Sequence, residues 1–109
     1  MRMEVRTERM QFLATRQPEP KTDGDGRQKR DVRTQELLWQ TELVVIDADG
    51  ADVIKVTTEG EPKIAPGYVQ VAELVAMPWA MGDRSGVAYR ARSITAVQQP
   101  APSRSGGAS

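Results

Sequence analysis

The 109-residue sequence contains no cysteine and no histidine. Without cysteine the chain has no disulfide, no thiolate metal ligand and no cysteine nucleophile. Without histidine it also lacks the commonest general base and the commonest metal ligand of proteins. We therefore expect a protein that is not an enzyme and that needs no cofactor.

Long apolar runs are missing as well. No segment approaches the roughly 20 apolar residues that cross a bilayer, and no signal-peptide core follows the polar N-terminus. Hydrophobic residues make up 39% of the chain and charged residues 28%, which suits one small domain with polar extensions. The sequence therefore predicts a cytoplasmic protein without a membrane partner.

The charges of the chain are segregated along its length. The formal net charge is zero, but residues 1–35 carry nine basic and six acidic side chains, and residues 36–65 carry two and seven. Residues 66–109 carry four basic and two acidic side chains. Because the field over a cleft is set within a Debye length of ~8–10 Å, a neutral protein can still present a basic surface. The overall charge therefore does not exclude nucleic acid.

The composition divides the chain into three parts. Residues 98–109 are rich in Pro, Ser, Gly and Ala and have no large apolar residue, which predicts a disordered tail. Residues 1–8 are polar and charged, which predicts a flexible N-terminus. The folded unit is expected to cover residues 9–97.

Within the folded unit, β-branched and alternating patterns separated by turn residues predict an all-β fold with five strands and no long helix. The strands are expected near residues 10–16, 38–47, 52–58, 68–81 and 87–97. A helical stripe competes in the second segment, but its β-branched residues and the Asp49-Gly50 turn favour a hairpin. Pro78 is expected to interrupt the fourth strand. The fold class is a small five-stranded OB-like barrel with a long hairpin or mobile loop at 17–36 between strands 1 and 2.

Acidic side chains surround the turn glycine of the predicted hairpin. Asp47, Asp49 and Asp52 flank Gly50. A calcium loop would continue with further oxygen ligands, but residues 53–56 are Val-Ile-Lys-Val and supply none. The pattern is therefore that of a turn, and we expect no metal site.

Basic and aromatic residues fall where an open five-stranded barrel binds oligonucleotides, across strands 2–3 and on the loops between strands 1–2 and 4–5. The candidate phosphate contacts are Lys21, Arg27, Lys29, Arg30, Arg33, Arg84, Arg90 and Arg92. The candidate stacking residues are Trp39, Trp79 and Tyr89, with Tyr68 in addition. Cations along the backbone and aromatic faces for the bases are what single-strand binding needs. The sequence therefore predicts binding of single-stranded DNA or RNA, with DNA preferred.

Other interpretations of the same residues stay open. Each tryptophan can equally belong to the core, the basic loop can be a solvated arm, and Arg90 and Arg92 can pair with the acidic residues of 47–61. The alternative function is a regulatory adaptor that binds a protein partner through an exposed strand edge. A repressor of duplex DNA with residues 17–36 as a wing is a third, and exposed edges also favour a homodimer.

The chain contains several distinctive stretches, which are Pro-Glu-Pro-Lys at 18–21, Leu-Trp at 38–39, the hairpin ending in Asp-Gly at 49–50, Ala-Met-Pro-Trp at 76–79 and the segment 82–91. Together they resemble the small regulatory proteins of actinobacterial integrative and conjugative plasmid elements. The likeness covers about residues 8–96 and implies a regulatory role in the maintenance or transfer of a mobile element. In architecture alone, the predicted barrel also resembles phage-type single-stranded-DNA-binding proteins, which similarly lack a substantial helix between strands 3 and 4.

Overall fold

The computed structural model describes residues 2–97, and these residues form strands and no helix. The strands are β1 (Met3–Glu4), β2 (Gln11–Ala14), β3 (Glu19–Pro20), β4 (Leu38–Asp47), β5 (Gly50–Glu59), β6 (Gly67–Ala72), β7 (Val75–Met81), β8 (Arg84–Arg90) and β9 (Ser93–Ala96). Within this part of the chain there is accordingly no helix of the length and hydropathy that would span a membrane. The predicted tail, 98–109, lies outside the described residues.

The all-β prediction is confirmed, but the count of five strands is wrong, because the described residues form nine. The fourth predicted strand is divided into β6 and β7 at residues 73–74, where Glu73 adopts a φ of 52°. The fifth is divided into β8 and β9 at residues 91–92. The two-residue strands β1 and β3 are too short to leave a pattern in the sequence.

Pro78 does not interrupt its strand as expected. It lies inside β7, exposed and directly opposite Val87 of β8. On its other side β7 is paired with β1 only at Val75 and Ala76, so β7 is an edge strand where it contains the proline. A residue without an N–H is tolerated at such an edge.

The predicted hairpin is present as β4 and β5. The two strands pair over their full length, from Leu38 opposite Glu59 to Asp47 opposite Gly50. Gly50 has a φ of 136°, which a residue with a side chain rarely adopts. Thr41 and Leu43, both fully buried, show the alternation of a strand and not a helical stripe.

The sheet curls so that its strands surround one core. Its order is β1-β7-β8-β5-β4-β2-β6-β9, with β3 added beside β4. At the end of β8 the N–H of Ala91 donates to the Thr57 carbonyl of β5, and the N–H of Arg92 donates to the Ala72 carbonyl of β6. The chain therefore crosses from β5 to β6 at this point and enters β9, which pairs with β6.

The core lies on the concave side of the curled sheet. It consists of Phe12, Ala14, Leu43, Val56, Ile64, Val69, Val71, Leu74, Ala91 and Ile94. In a regular strand, residues that face the core are an even number of positions apart. Ala91 and Ile94 both face the core although they are three residues apart, so the alternation shifts by one residue between β8 and β9. Near the N-terminus, in the segment expected to be flexible, Met3 and Glu4 pair with β7 and the N–H of Val5 donates to the Leu74 carbonyl.

The outer part of the β7–β8 hairpin, residues 78–87, projects from this core, and we call it the arm. Most of its residues are exposed, including Met81 at 76% of its surface. Its two strands stay in register through a turn at Gly82 and Asp83, with Met81 opposite Arg84.

The two most buried threonines of β4 and β5 differ in hydrogen bonding. Thr41 Oγ1 has no partner among residues 2–97, whereas Thr58 Oγ1 donates to the Gly60 carbonyl at 3.1 Å. Since an unpaired buried hydroxyl costs ~1–3 kcal/mol, we expect Thr41→Val to raise the free energy of unfolding by about 1 kcal/mol. Thr58→Val, the matched control, should lower it by ~0.5–1.5 kcal/mol. Urea denaturation measures both, and equal losses in the two variants would contradict the assignment.

Candidate nucleic-acid interface

Residues 17–36 are fastened to the curled sheet by hydrogen bonds and do not form a loose loop. The backbone N–H of Lys21 donates to the Leu38 carbonyl at 3.0 Å, and the N–H of Leu38 donates to the Lys29 carbonyl at 2.9 Å. The N–H of Lys29 in turn donates to the Lys21 carbonyl at 2.7 Å. These bonds hold the two basic residues at fixed positions beside the start of β4.

Two aspartates shape the turns of this segment. Asp23 Oδ1 accepts the N–H groups of Asp25 and Arg27, and Asp31 Oδ1 accepts those of Arg33 and Thr34. Asp side chains that bind backbone N–H groups two or three residues ahead stabilise tight turns. The turns at Asp23 and Asp31 therefore fix the backbone from which the basic side chains of this segment extend.

Arg90 joins this segment to β5. Its Nη2 lies 2.6 Å from Asp31 Oδ2 and 2.7 Å from Glu59 Oε2. Burial lowers the pKa of Arg90, but the hydrogen bonds to the two carboxylates outweigh it and raise the pKa above its usual range. Hydrogen bonds from the Thr34 N–H and from Arg90 hold the pKa of Asp31 at about 2. Arg90 and Asp31 are therefore both charged at neutral pH.

A large open groove of about 1340 Å³ lies between this segment, the N-terminal residues and the β8–β9 junction. Seven basic and four acidic side chains line it. The basic ones are Arg2, Lys21, Lys29, Arg30, Arg33, Arg90 and Arg92, and the acidic ones are Glu4, Asp31, Glu59 and Glu73. We call this concavity the basic groove.

Lys21 lies close to other positive charges of the groove. Its Nζ donates to Thr57 Oγ1 at 3.0 Å. Its pKa is lowered, first by burial and then by the charges of Lys29 and Arg90. A bound anion would relieve this repulsion, because an opposite charge nearby favours the charged form of a lysine.

Six of the predicted phosphate contacts are thus brought to one groove, but not all are equally available. Arg90 is occupied by its two carboxylates, and Arg92 Nη1 lies 2.9 Å from Glu73 Oε2. Arg30 Nη1 donates to the Gln35 carbonyl. Lys29 and Arg33 are exposed, and within residues 2–97 neither side chain takes part in an ion pair.

A second, smaller groove of about 290 Å³ lies where β5 and β8 separate, and we call it the fork. It is lined by Lys21, Gln40, Val53, Ile54, Lys55, Thr57, Trp79, Val87, Ala88 and Tyr89. β5 and β8 pair only at Val56–Tyr89 and Thr57–Arg90. The residues that precede these pairs in the two strands are not hydrogen-bonded to each other, so the arm diverges from β5 there. Because Lys21 lines both grooves, they are adjacent.

The remaining predicted site residues lie elsewhere. Trp39 is half-buried between Pro20 of β3 and Thr58 of β5 and lines neither groove. Tyr89 lines the fork and also packs on the core. Arg27, Arg84 and Tyr68 are exposed and line neither groove: Arg27 follows Gly26 in its turn, Arg84 is next to the arm's tip, and Tyr68 is on β6.

Sequence reasoning missed Arg2, Gln40 and Lys55 as groove residues. Arg2 was placed in a segment expected to be flexible. Lys55 alternates outward on β5 in a region that is acidic overall, and no local signal shows that the arm passes near it. Only the parallel pairing of β5 with β8 reveals this neighbourhood.

The acidic residues of the β4–β5 turn do not line the basic groove. Asp47, Asp49 and Asp52 border a third pocket of about 350 Å³ whose other walls are mainly apolar. In the described part of the chain no three acidic residues lie close enough together to hold a metal ion. The acidic side chains that do line the basic groove are Glu4, Asp31, Glu59 and Glu73.

No family model, curated protein or solved structure matches the chain. The two grooves and their charges are therefore the observations from which a function can be inferred.

The ion pair of Asp31 predicts an acid dependence. The pKa of Asp31 is lowered from 3.8 to about 2, so its contribution to stability is present above pH ~4 and is lost as the pH falls towards 2. Wild type should be more stable than Asp31→Asn at neutral pH, and the difference should shrink between pH 4 and 2. Urea midpoints across pH 2–7 measure this. Asp83→Asn, in the exposed arm turn, is the control, and a constant difference for Asp31→Asn over the whole range would refute the assignment.

Proposed function

We propose that this is a non-enzymatic protein that binds single-stranded nucleic acid, DNA in the first instance, along the basic groove. The observation that carries the proposal is the convergence of seven basic side chains, against four acidic ones, on one concave surface that the acidic turn at 47–52 does not line. A local basic field of this kind attracts a phosphate backbone even when the net charge is zero.

The neighbouring fork supports a single strand over a duplex. Stacking on an aromatic side chain requires an unpaired base, and Trp79 is 43% exposed at the fork. Lys21 joins the two grooves, so one strand can contact cations in the basic groove and place a base in the fork. A duplex has no unpaired base to offer.

The pairing pattern supports an OB-like interpretation of the fold. If β6–β7 and β8–β9 are each treated as one bent element, then β2, β4, β5, β6–β7 and β8–β9 take the places of strands 1 to 5 of an OB-like barrel, although the described residues form nine strands. In this interpretation residues 17–36 connect strands 1 and 2, and the arm's tip connects strands 4 and 5. These are the loops with which such barrels bind oligonucleotides.

The proposed contacts predict weak sequence specificity, because phosphate contacts and stacking carry little base information. A protein of this kind suits the maintenance, transfer or regulation of a mobile element in the cytoplasm, which is the role implied by the resemblance described above. The resemblance contributes the biological setting, whereas the grooves contribute the ligand chemistry.

The adaptor alternative has one specific observation in its favour. On the arm, Trp79, Met81 and Val87 are exposed at 43%, 76% and 48%. Exposed apolar residues on a projecting hairpin can anchor a protein partner or a second copy of the chain. This alternative predicts no response of the protein to oligonucleotides.

The test uses Lys29→Ala with Arg33→Ala, because both side chains line the basic groove and neither takes part in a described ion pair. The slope of log K against log salt is about −0.7 per phosphate contact for single strands, so losing two contacts should reduce its magnitude by ~1.4. Fluorescence anisotropy of labelled oligo(dT) over a salt series measures the slope.

Arg9→Ala with Arg27→Ala is the matched control. It removes the same charge from exposed residues that line neither groove, so the slope should stay near the wild-type value. Equal effects of the two double variants would show a diffuse attraction and not a groove. Absence of binding by the wild-type protein would overturn the proposal and favour the adaptor.

A further inference from the structure

Trp79 reaches across a neighbouring strand. The sheet order places β8 between β7, which carries Trp79, and β5. Nevertheless Trp79 lines the fork together with Val53 and Lys55 of β5. The indole must therefore extend over β8 to arrive there.

Gly86 is the residue over which it passes. It lies directly opposite Trp79 in the β7–β8 ladder. A β-carbon built on Gly86 would lie 2.8 Å from Trp79 Cζ2, 3.0 Å from Cε2 and 3.1 Å from Nε1. The Nε1–Cε2–Cζ2 edge of the indole thus occupies the space that any side chain at position 86 would need.

The backbone does not itself require glycine there. Gly86 is not among the glycines of the described residues with positive φ, unlike Gly82 in the turn of the same hairpin. At every other glycine of residues 2–97, an added β-carbon would lie in open space. Close approach of the indole is therefore the feature that distinguishes Gly86.

The fork offers the surroundings that a nucleobase needs. Val53 is 59% exposed and Val87 is 48% exposed beside the indole, which leaves apolar surface uncovered. Lys21 and Lys55 line the same groove and can contact the phosphates that flank a stacked base. Gln40 adds an amide that can donate or accept a hydrogen bond.

We propose that Gly86 is a positioning residue that lets Trp79 lie across β8 and form a stacking subsite for one unpaired nucleobase in the fork. The subsite rests on the proposed function, since it is the place where the bound single strand is held by a base and not by its phosphates. Stacking releases few counterions, so this subsite contributes affinity without contributing to the salt slope.

The experiment compares Trp79→Ala, Gly86→Ala and Ser85→Ala with wild type, by anisotropy of labelled oligo(dT) and oligo(U) of about 12 nucleotides, within the range of site sizes known for such barrels. Trp79→Ala should weaken binding about 5- to 150-fold, which corresponds to the ~1–3 kcal/mol of stacking per base. Gly86→Ala, with the ring displaced, should weaken it by at least ~5-fold. Both variants should keep the wild-type salt slope, and Ser85→Ala, next to Gly86 on the exposed arm, should bind as wild type.

Inorganic polyphosphate, which has no base, provides a second readout. Its competition for the protein should be the same in wild type, Trp79→Ala and Gly86→Ala. If oligonucleotide affinity is unchanged in both variants, the subsite is wrong while single-strand binding stands. If Trp79→Ala weakens binding and Gly86→Ala does not, the positioning role of Gly86 is wrong. If wild type binds neither oligonucleotide, the proposed function fails together with the subsite.

Discussion

The ion pairs of Arg90 with Asp31 and Glu59 connect the parts of the molecule on which the candidate site depends. Arg90 ends β8 at the last parallel pair with β5, Glu59 ends β5, and Asp31 belongs to the basic segment 17–36. The Asp31 side chain is only 10% exposed. Removing one member of a partly buried group of charges leaves the others without compensation, which is unfavourable. The basic segment is therefore held against the curled sheet, and it forms one side of a groove where the sequence alone allowed a mobile loop.

The same interaction divides the charges of the site. Asp31 and Glu59 neutralise Arg90, and Glu73 lies against Arg92 on the surface, where such a pair contributes little. The cations left for a ligand are therefore mainly those of Lys21, Lys29 and Arg33. Sequence reasoning considered that Arg90 could meet the acidic residues of 47–61, and Glu59 is one of them. Asp31 was not foreseen, because it lies in a basic run and reaches Arg90 only through the tertiary fold.

Sequence patterns were sufficient to predict elements that form between residues close together in the chain. The β-branched run and the Asp49-Gly50 turn predicted the β4–β5 hairpin, which the structure contains over its full length. The breaks at 73–74 and 91–92 were not predicted, because they arise where the sheet curls and the chain leaves β5 to pair with β6.

Trp39 and Trp79 occur in similar strand patterns, so their burial could not be distinguished by sequence. The position of Gly86 opposite Trp79 could have been predicted, because a two-residue turn at Gly82-Asp83 fixes the register of the arm.

The placement of Trp79 argues for a binding role over a structural one. The chain has only five aromatic residues, and Phe12 is the one fully enclosed in the core. A residue such as Trp stabilises a small domain most when it is buried, yet Trp79 remains 43% exposed on a projecting hairpin. Its partner Gly86 has no side chain to pack, and glycine within a strand costs roughly 0.5–1 kcal/mol relative to alanine. The arm is therefore less stable than it could be at two positions that face each other in the ladder, Trp79 and Gly86. The same two positions leave an aromatic face exposed beside Lys21 and Lys55. This arrangement is expected if the indole binds a ligand, and it gives no advantage to a hairpin whose role is only to extend the sheet.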